Sequence, residues 1–248
     1  MRYRALFLLC LLWANPSWAA ITEDAQSTCE GTTSVTCSHT FGGSANFAYI
    51  CVGVRDSAGA VVVPTNVTVN GVAATSVGNM VNSLNVVAAS VWRHNNPPVG
   101  TVNVTATGGA GTDFMLMAVR SYGGVDTSNP IGTPVNKATS TASTDMDVDA
   151  ISSGSGQLGV LCGTARKGGA NVTFVPDATV PVSTEYADFT HSSGSPQISL
   201  AVYEEAGANP SIDMRVDVSE SVQSAAVGVS LIPAIVSSVR PRPLVVFP

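Results

Sequence analysis

Apolar and polar residues alternate over short stretches along most of the chain. Val35, Cys37 and His39 stand between polar neighbours, as do Val102, Val104 and Ala106, then Ile212, Met214, Val216 and Val218. A period of two sends successive side chains to opposite faces of an extended backbone, so each run predicts a strand with one face in a core. The runs are bounded by Gly, Pro, Asn or Ser, and no helical stripe exceeds two turns. Short strands at regular spacing with such turns predict an all-β fold, a β-sandwich or jelly roll.

Several features recur at a nearly constant offset. Cys51 in YICVGVR matches Cys162 in GVLCGTA, and Trp92 in ASVWRHNNPP matches Tyr203 in LAVYEEAGANP, both displaced by 111 positions. The offset then slips to 110, pairing Val102 and Val104 with Ile212 and Met214, and Met117 and Val119 with Val227 and Val229. The pattern predicts two half-units, 33–122 and 144–232, joined by GGVDTSNPIGTPVNKATSTAS. Each half is rich in small residues and alone would bury a thin core, so a single sandwich built from both halves, spanning 33–234, is expected. Residues 20–32 read as an N-terminal segment and 235–248 as an extended tail, because the prolines of VRPRPLVVFP hold the chain open. That tail can add to a neighbour's sheet or fold back on its own.

The first residues change the picture of compartment. Arg2 and Arg4 precede an apolar stretch from Ala5 to Ala14, followed by Ser17-Trp18-Ala19, a secretory leader with a small-residue cleavage site. The stretch is about half the roughly 20 residues needed to span a bilayer, so cleavage near Ala19 is expected, with a secreted, surface or periplasmic product and no membrane span in the mature chain. Export permits disulfides. Cys10 leaves with the leader, and Cys29, Cys37, Cys51 and Cys162 allow three pairings. The turn-rich EGTTSV between Cys29 and Cys37 favours a local bond, which leaves Cys51 with Cys162, on equivalent strands of the repeat.

Loss of Arg2 and Arg4 lowers the basic count from 11 to 9 against 17 acidic residues, a formal charge of −8. A nucleic-acid partner is therefore not expected. No CxxC spacing occurs and His39, His94 and His191 are scattered, so neither zinc nor any cofactor is expected. Gly154, Gly156 and Gly159 fit G-x-G-x-x-G, but LGVLCGTA after them reads as a strand where a dinucleotide site needs a helix. Asp145, Asp147 and Asp149 are candidates for calcium. Spread over about 13 Å of straight strand they cannot converge on one ion, and a solvated strand face is the simpler reading.

Glu185, Asp188, Glu204 and Glu205 offer carboxylates in number, and nothing in their spacing recommends a glycosidase pair. For ligand binding the candidates are Trp92, Arg93, His94 and Asn95, an aromatic strand end running into a polar loop, with Tyr203 as the repeat equivalent of Trp92. The competing reading makes Trp92 and Tyr203 core caps.

The segment YGGVDTSNPIG, the turn Asn70-Gly71-Val72 and the closing AAVGVSLIPA resemble a recurring type of exported bacterial and phage-associated β-sandwich protein, over roughly Thr33 to Ala234. The resemblance implies a sandwich or jelly roll on a surface or virion, mostly without an assigned activity, and supplies no functional residues. The expectation is a non-catalytic structural or adhesive protein contacting surface glycan or protein subunits. A carbohydrate-binding module or a virion or filament subunit is the alternative, and a glycan-active enzyme comes last.

Overall fold

The computed structural model describes residues 17–56, 59–61, 63–139, 143–167, 172–176, 184–191 and 197–236. The leader before Ser17, the tail beyond Val236 and the side chains of Glu185, Asp188 and His191 lie outside the described residues. The chain is all-β. Its first half carries β1 (Ser17–Trp18), β2 (Thr22–Gly31), β3 (Ser34–Phe41), β4 (Phe47–Arg55), β5 (Asn66–Val69), β6 (Val72–Ala73), β7 (Thr75–Val81), β8 (Val87–Asn95), β9 (Gly100–Thr107) and β10 (Phe114–Gly123). The second carries β11 (Val135–Ala138), β12 (Ser143–Asp145), β13 (Val148–Ser152), β14 (Leu158–Lys167), β15 (Phe174–Pro176), β16 (Thr184–His191), β17 (Gln197–Ala206), β18 (Ser211–Met214), β19 (Val216–Leu231) and β20 (Ile235–Val236).

In the first half a five-stranded sheet, ordered β2-β10-β4-β8-β7, packs against a four-stranded sheet, β3-β9-β5-β6. Their shared core holds Val35, Phe41, Ile50, Val52, Val104 and Met117. The second half repeats the inner order as β11-β19-β14-β17-β16, with β10 and β19, β4 and β14, β8 and β17, and β7 and β16 in matching places. Its outer layer is β13 with β18, together with β12 and β15 paired to the early part of β19. Burial follows this path along β19. It alternates where the strand lies outside, at Asp217 and Val218, and is complete from Ser224 to Leu231 beside β14.

The two inner sheets face each other. β8 packs on β14 and β19, β10 on β17, and β7 on β11. Phe47, Tyr49, Leu116, Val160, Leu200 and Val227 form a core of their own between them. The molecule is thus two sandwiches back to back, four layers with three cores, where the sequence predicted one sandwich shared by both halves. The reason is that FAYICVGVR and FMLMAVRSYG are buried along nearly their whole length, so each inner strand needs a partner layer on both faces.

Register corrects the repeat at its far end. Ala118 lies opposite Cys51, and Val227 lies opposite Cys162, so Ala118 rather than Met117 is the match for Val227. Met117 points into the outer core and Val227 into the central one, which a one-residue shift in a strand requires.

Residues 20–32 are not a separate segment, because Thr22–Gly31 form an edge strand along the whole of β10. Cys29 on this strand bonds Cys37 on β3 and joins the two sheets of the first sandwich, while Cys51 of β4 bonds Cys162 of β14 across the central core. At Gly53 the inner sheets come close: a Cβ there would lie 2.9 Å from Thr164 Oγ1 and 3.0 Å from Leu200 Cδ1. Asn70 (φ 49°) and Gly71 (φ 80°) make the tight turn from β5 to β6, with the left-handed pair of a two-residue hairpin. β1 pairs with β20, bringing the two described ends together.

Candidate functional site

Strand β8 sends alternate side chains to opposite faces, and this divides the residues that the sequence groups together. Ala88 and Trp92 enter the outer core, whereas Ala89 and Val91 enter the seam between the sandwiches. Trp92 is 9 % exposed and its Nε1 donates to Ser90 Oγ at 2.6 Å, so its ring is a core cap with no face to offer a sugar. His94 follows Trp92 to that side, where burial lowers its pKa against a hydrogen bond with the Ala73 backbone. Tyr203 is fully buried in the outer core of the second sandwich. Of the two readings of Trp92 and Tyr203, burial agrees with core caps rather than with ligand-facing rings.

Arg93 and Asn95 take the seam parity. Asn95 Nδ2 donates to Thr127 O at 2.8 Å, and Asn46 Nδ2 donates to Val125 O at 2.7 Å, so two asparagines pin the start of the linker between the halves. Ser128 N donates to Asp126 Oδ1, and Ile232 N and Gly132 N close the linker against the end of β19. The pinned linker faces β7 and β8 across a cleft of about 240 Å³. Thr75, Ser128 and Asn129 give it polar walls, Ile131 and Pro134 an apolar one, and half-buried Arg93 the single formal charge. Among the described residues no hydrogen bond or ion pair reaches the Arg93 guanidinium.

The matching place in the other sandwich is Glu204. Arg93 lies opposite Tyr49 on β4, as Glu204 lies opposite Val160 on β14. Here the seam is closed. Arg120 Nε lies 2.9 Å from Glu204 Oε1 and 3.0 Å from the Tyr122 hydroxyl, Arg120 Nη2 lies 2.8 Å from Glu23 Oε1, and the Tyr122 hydroxyl donates to Glu204. Burial pushes the Glu204 carboxyl above its usual range, against the pull of Arg120 and the Tyr122 hydrogen bond. The position equivalent to Arg120 on β19 is Val229, which lies opposite Val160 as Arg120 lies opposite Tyr49. Arg93 therefore has no counterpart charge where its partner site has one.

A second polar chain escaped the sequence reading. His39 Nε2 and Ser121 Oγ are 3.1 Å apart, His39 Nδ1 and Ser27 Oγ 2.9 Å, and Ser121 Oγ donates to Asp24 Oδ2 at 2.8 Å. Since Ser121 gives its proton to Asp24, it accepts from Nε2, and Ser27 donates to Nδ1. The composition is that of an acid–base relay. Its place is the interior of the first sandwich, with His39 fully buried against Phe41 and Asp24 also accepting from Gly42 N. The chain staples β2 to β3 and β10. Only alternation of Ser27 and His39 with Cys29 and Cys37 pointed to it in the sequence.

The three aspartates do not share one straight strand. Asp145 ends β12, Asp149 lies in β13, and Asp147 falls in the break between, while Met146 and Val148 keep the buried parity. Burial, then the charges of Asp145 and Asp149, raise the Asp147 pKa. Among the described residues no group of three His, Cys, Asp or Glu side chains is placed to hold a metal ion, and no helix is long and apolar enough to cross a membrane. Gly156 (φ 83°) turns the chain into β14, so the glycine motif leads into a strand. Fold and cleft together define a disulfide-bonded double β-sandwich with a polar cleft at its seam. Comparison with protein-family models, curated proteins and solved structures finds no match.

Proposed function

We propose that this is a secreted or surface-associated, non-catalytic structural or adhesive protein that works through contacts with glycan or protein surfaces. The observation that carries the reading is the outer face of the first sandwich. Ser34, Thr36, Ser38 and Thr40 stand exposed on β3 beside Thr101, Asn103, Thr105 and Thr107 on β9, a face of hydroxyls and amide without a charge. Cross-strand hydrogen bonds order it, with Thr36 Oγ1 at 3.0 Å from Thr105 Oγ1 and Thr40 Oγ1 at 2.7 Å from Thr101 Oγ1. Such a face meets a polar, uncharged partner with its side-chain entropy already spent. The two disulfides and the leader pattern support export; cleavage after Ala19 removes β1 from β20.

The test is binding of the secreted protein to immobilised glycans and envelope proteins. Saturable binding that Thr36→Lys with Thr105→Lys abolishes at unchanged melting temperature is expected. Binding indifferent to that pair, or turnover of a polysaccharide, overturns the reading. A carbohydrate-binding module is the second reading, favoured by the cleft at Arg93.

A further inference from the structure

We infer that the seam cleft binds a single acidic sugar residue, with Arg93 holding its carboxylate. The inference rests on the second reading, carbohydrate binding, and is independent of the hydroxyl face of β3 and β9.

Charge comes first. A guanidinium presents parallel N–H donors that match a carboxylate, and such charge-assisted pairs are the stronger class of hydrogen bond. The protein itself makes that pair at the equivalent place, where Glu204 accepts from Arg120. The position on β19 that corresponds to Arg120 is Val229, which carries no charge, so a carboxylate that pairs with Arg93 there would come from a ligand. One cation matches one monoanion. A phosphate dianion would call for further donors of positive charge, and the excess of acidic over basic residues, 17 against 11 in the full chain and 17 against 9 without Arg2 and Arg4, repels a densely charged polymer.

Size and lining select the rest of the ligand. A volume of about 240 Å³ falls below the roughly 300–1,000 Å³ of sites for drug-sized molecules, which limits the occupant to about one ring. The Thr75 hydroxyl, opposite Arg93, and the Ser128 hydroxyl and Asn129 amide of the linker can both donate and accept, as ring hydroxyls require. Ile131 supplies an apolar wall for the C–H face of a pyranose. An acidic peptide would carry a second chain direction and side chains for which this lining has no matching run.

Equilibrium binding to the intact secreted protein tests the assignment, with methyl galacturonide and a sialic-acid glycoside as probes. Their methyl esters, methyl galactoside and an acidic peptide serve as comparisons. Millimolar-order affinity for an acid sugar is expected, weakened about tenfold or more by esterification and by Arg93→Gln, with Arg93→Lys intermediate. Arg93 sits on the rim of the core, and unchanged melting of the variants confirms that the fold is intact.

Equal binding of acid and ester, binding unchanged in Arg93→Gln, or Arg93-dependent capture of the peptide alone overturns the inference. Failure of every saccharide to bind overturns it together with the second reading. Binding of neutral sugars that is indifferent to Arg93 overturns the inference alone.

Discussion

Arg120 is the largest fully buried side chain among the described residues, and Glu204, Glu23, Gln26 and the Tyr122 hydroxyl surround its guanidinium. Removing one member of a buried pair leaves the other uncompensated, at a cost of about 3–5 kcal/mol. Arg120→Met should lose that much in urea unfolding, and adding Glu204→Gln should return part of it. Nearby, Tyr49 and Tyr122 have hydroxyl pKa values raised well above the usual range, by burial first and then by the Glu204 charge. A raised folded-state value means their contribution is fully present below pH about 10 and is lost as pH rises through the folded values. Stability measured against pH should fall more steeply above that point in the wild type than in Tyr49→Phe with Tyr122→Phe. None of this cluster was legible as such, since Glu204 and Arg120 lie far apart in sequence and meet only when the sandwiches stack. Arg93 was legible as a candidate, but for its neighbour Trp92 rather than for its own parity.

Strands were legible wherever one face is buried. β3 reads out its alternation residue by residue, and so do β18 and the first part of β19. The inner strands carry a different signal, the unbroken apolar runs of β4, β8 and β10, and length alone does not distinguish a strand between two layers from a buried helix segment. The single sandwich was expected because each half, rich in small residues, reads as too thin a core alone, and the central core between the halves has no signal of its own in the sequence. The shift at β19 has the same origin, because a strand buried on both faces shows no parity by which to align it. Glycine marks the closest approach of these layers. Gly53→Val would push a branched side chain against Thr164 and Leu200, and overpacking of this kind costs about 1–3 kcal/mol. Gly43, exposed and with nothing within 4 Å of an added Cβ, is the control: Gly43→Ala should stay within about 0.5 kcal/mol. Chemical denaturation of the two variants checks both figures.

The whole molecule depends on one covalent bond between its halves. The Cys51–Cys162 bond spans a sequence separation of 111, and the chain-entropy model assigns it about 4–5 kcal/mol. The Cys29–Cys37 bond spans only 8, worth about 2.5 kcal/mol in the same model. Cys51→Ser with Cys162→Ser should therefore lower the melting temperature more than Cys29→Ser with Cys37→Ser, as read by calorimetry. Both pairings were expected from the order of the cysteines and the repeat, and β4 and β14, which carry Cys51 and Cys162, are the central strands of the two facing sheets. A tether pulled from its ends loads the same bond in another way. Force applied at Ala20 and Val236 peels β2 and β20 first, and unravelling then stops at Cys51 from one side and at Cys162 from the other. The strands β5 to β13 lie inside the closed loop and carry none of the extension. Single-molecule stretching should give a contour length shorter by about 400 Å in the oxidised protein than after reduction, at roughly 3.3–3.6 Å per residue over the separations of 111 and 8 that the two bonds close. A chain closed this way yields a fixed, short length under load and keeps the seam cleft's own strands, β7 and β8, out of the line of pull.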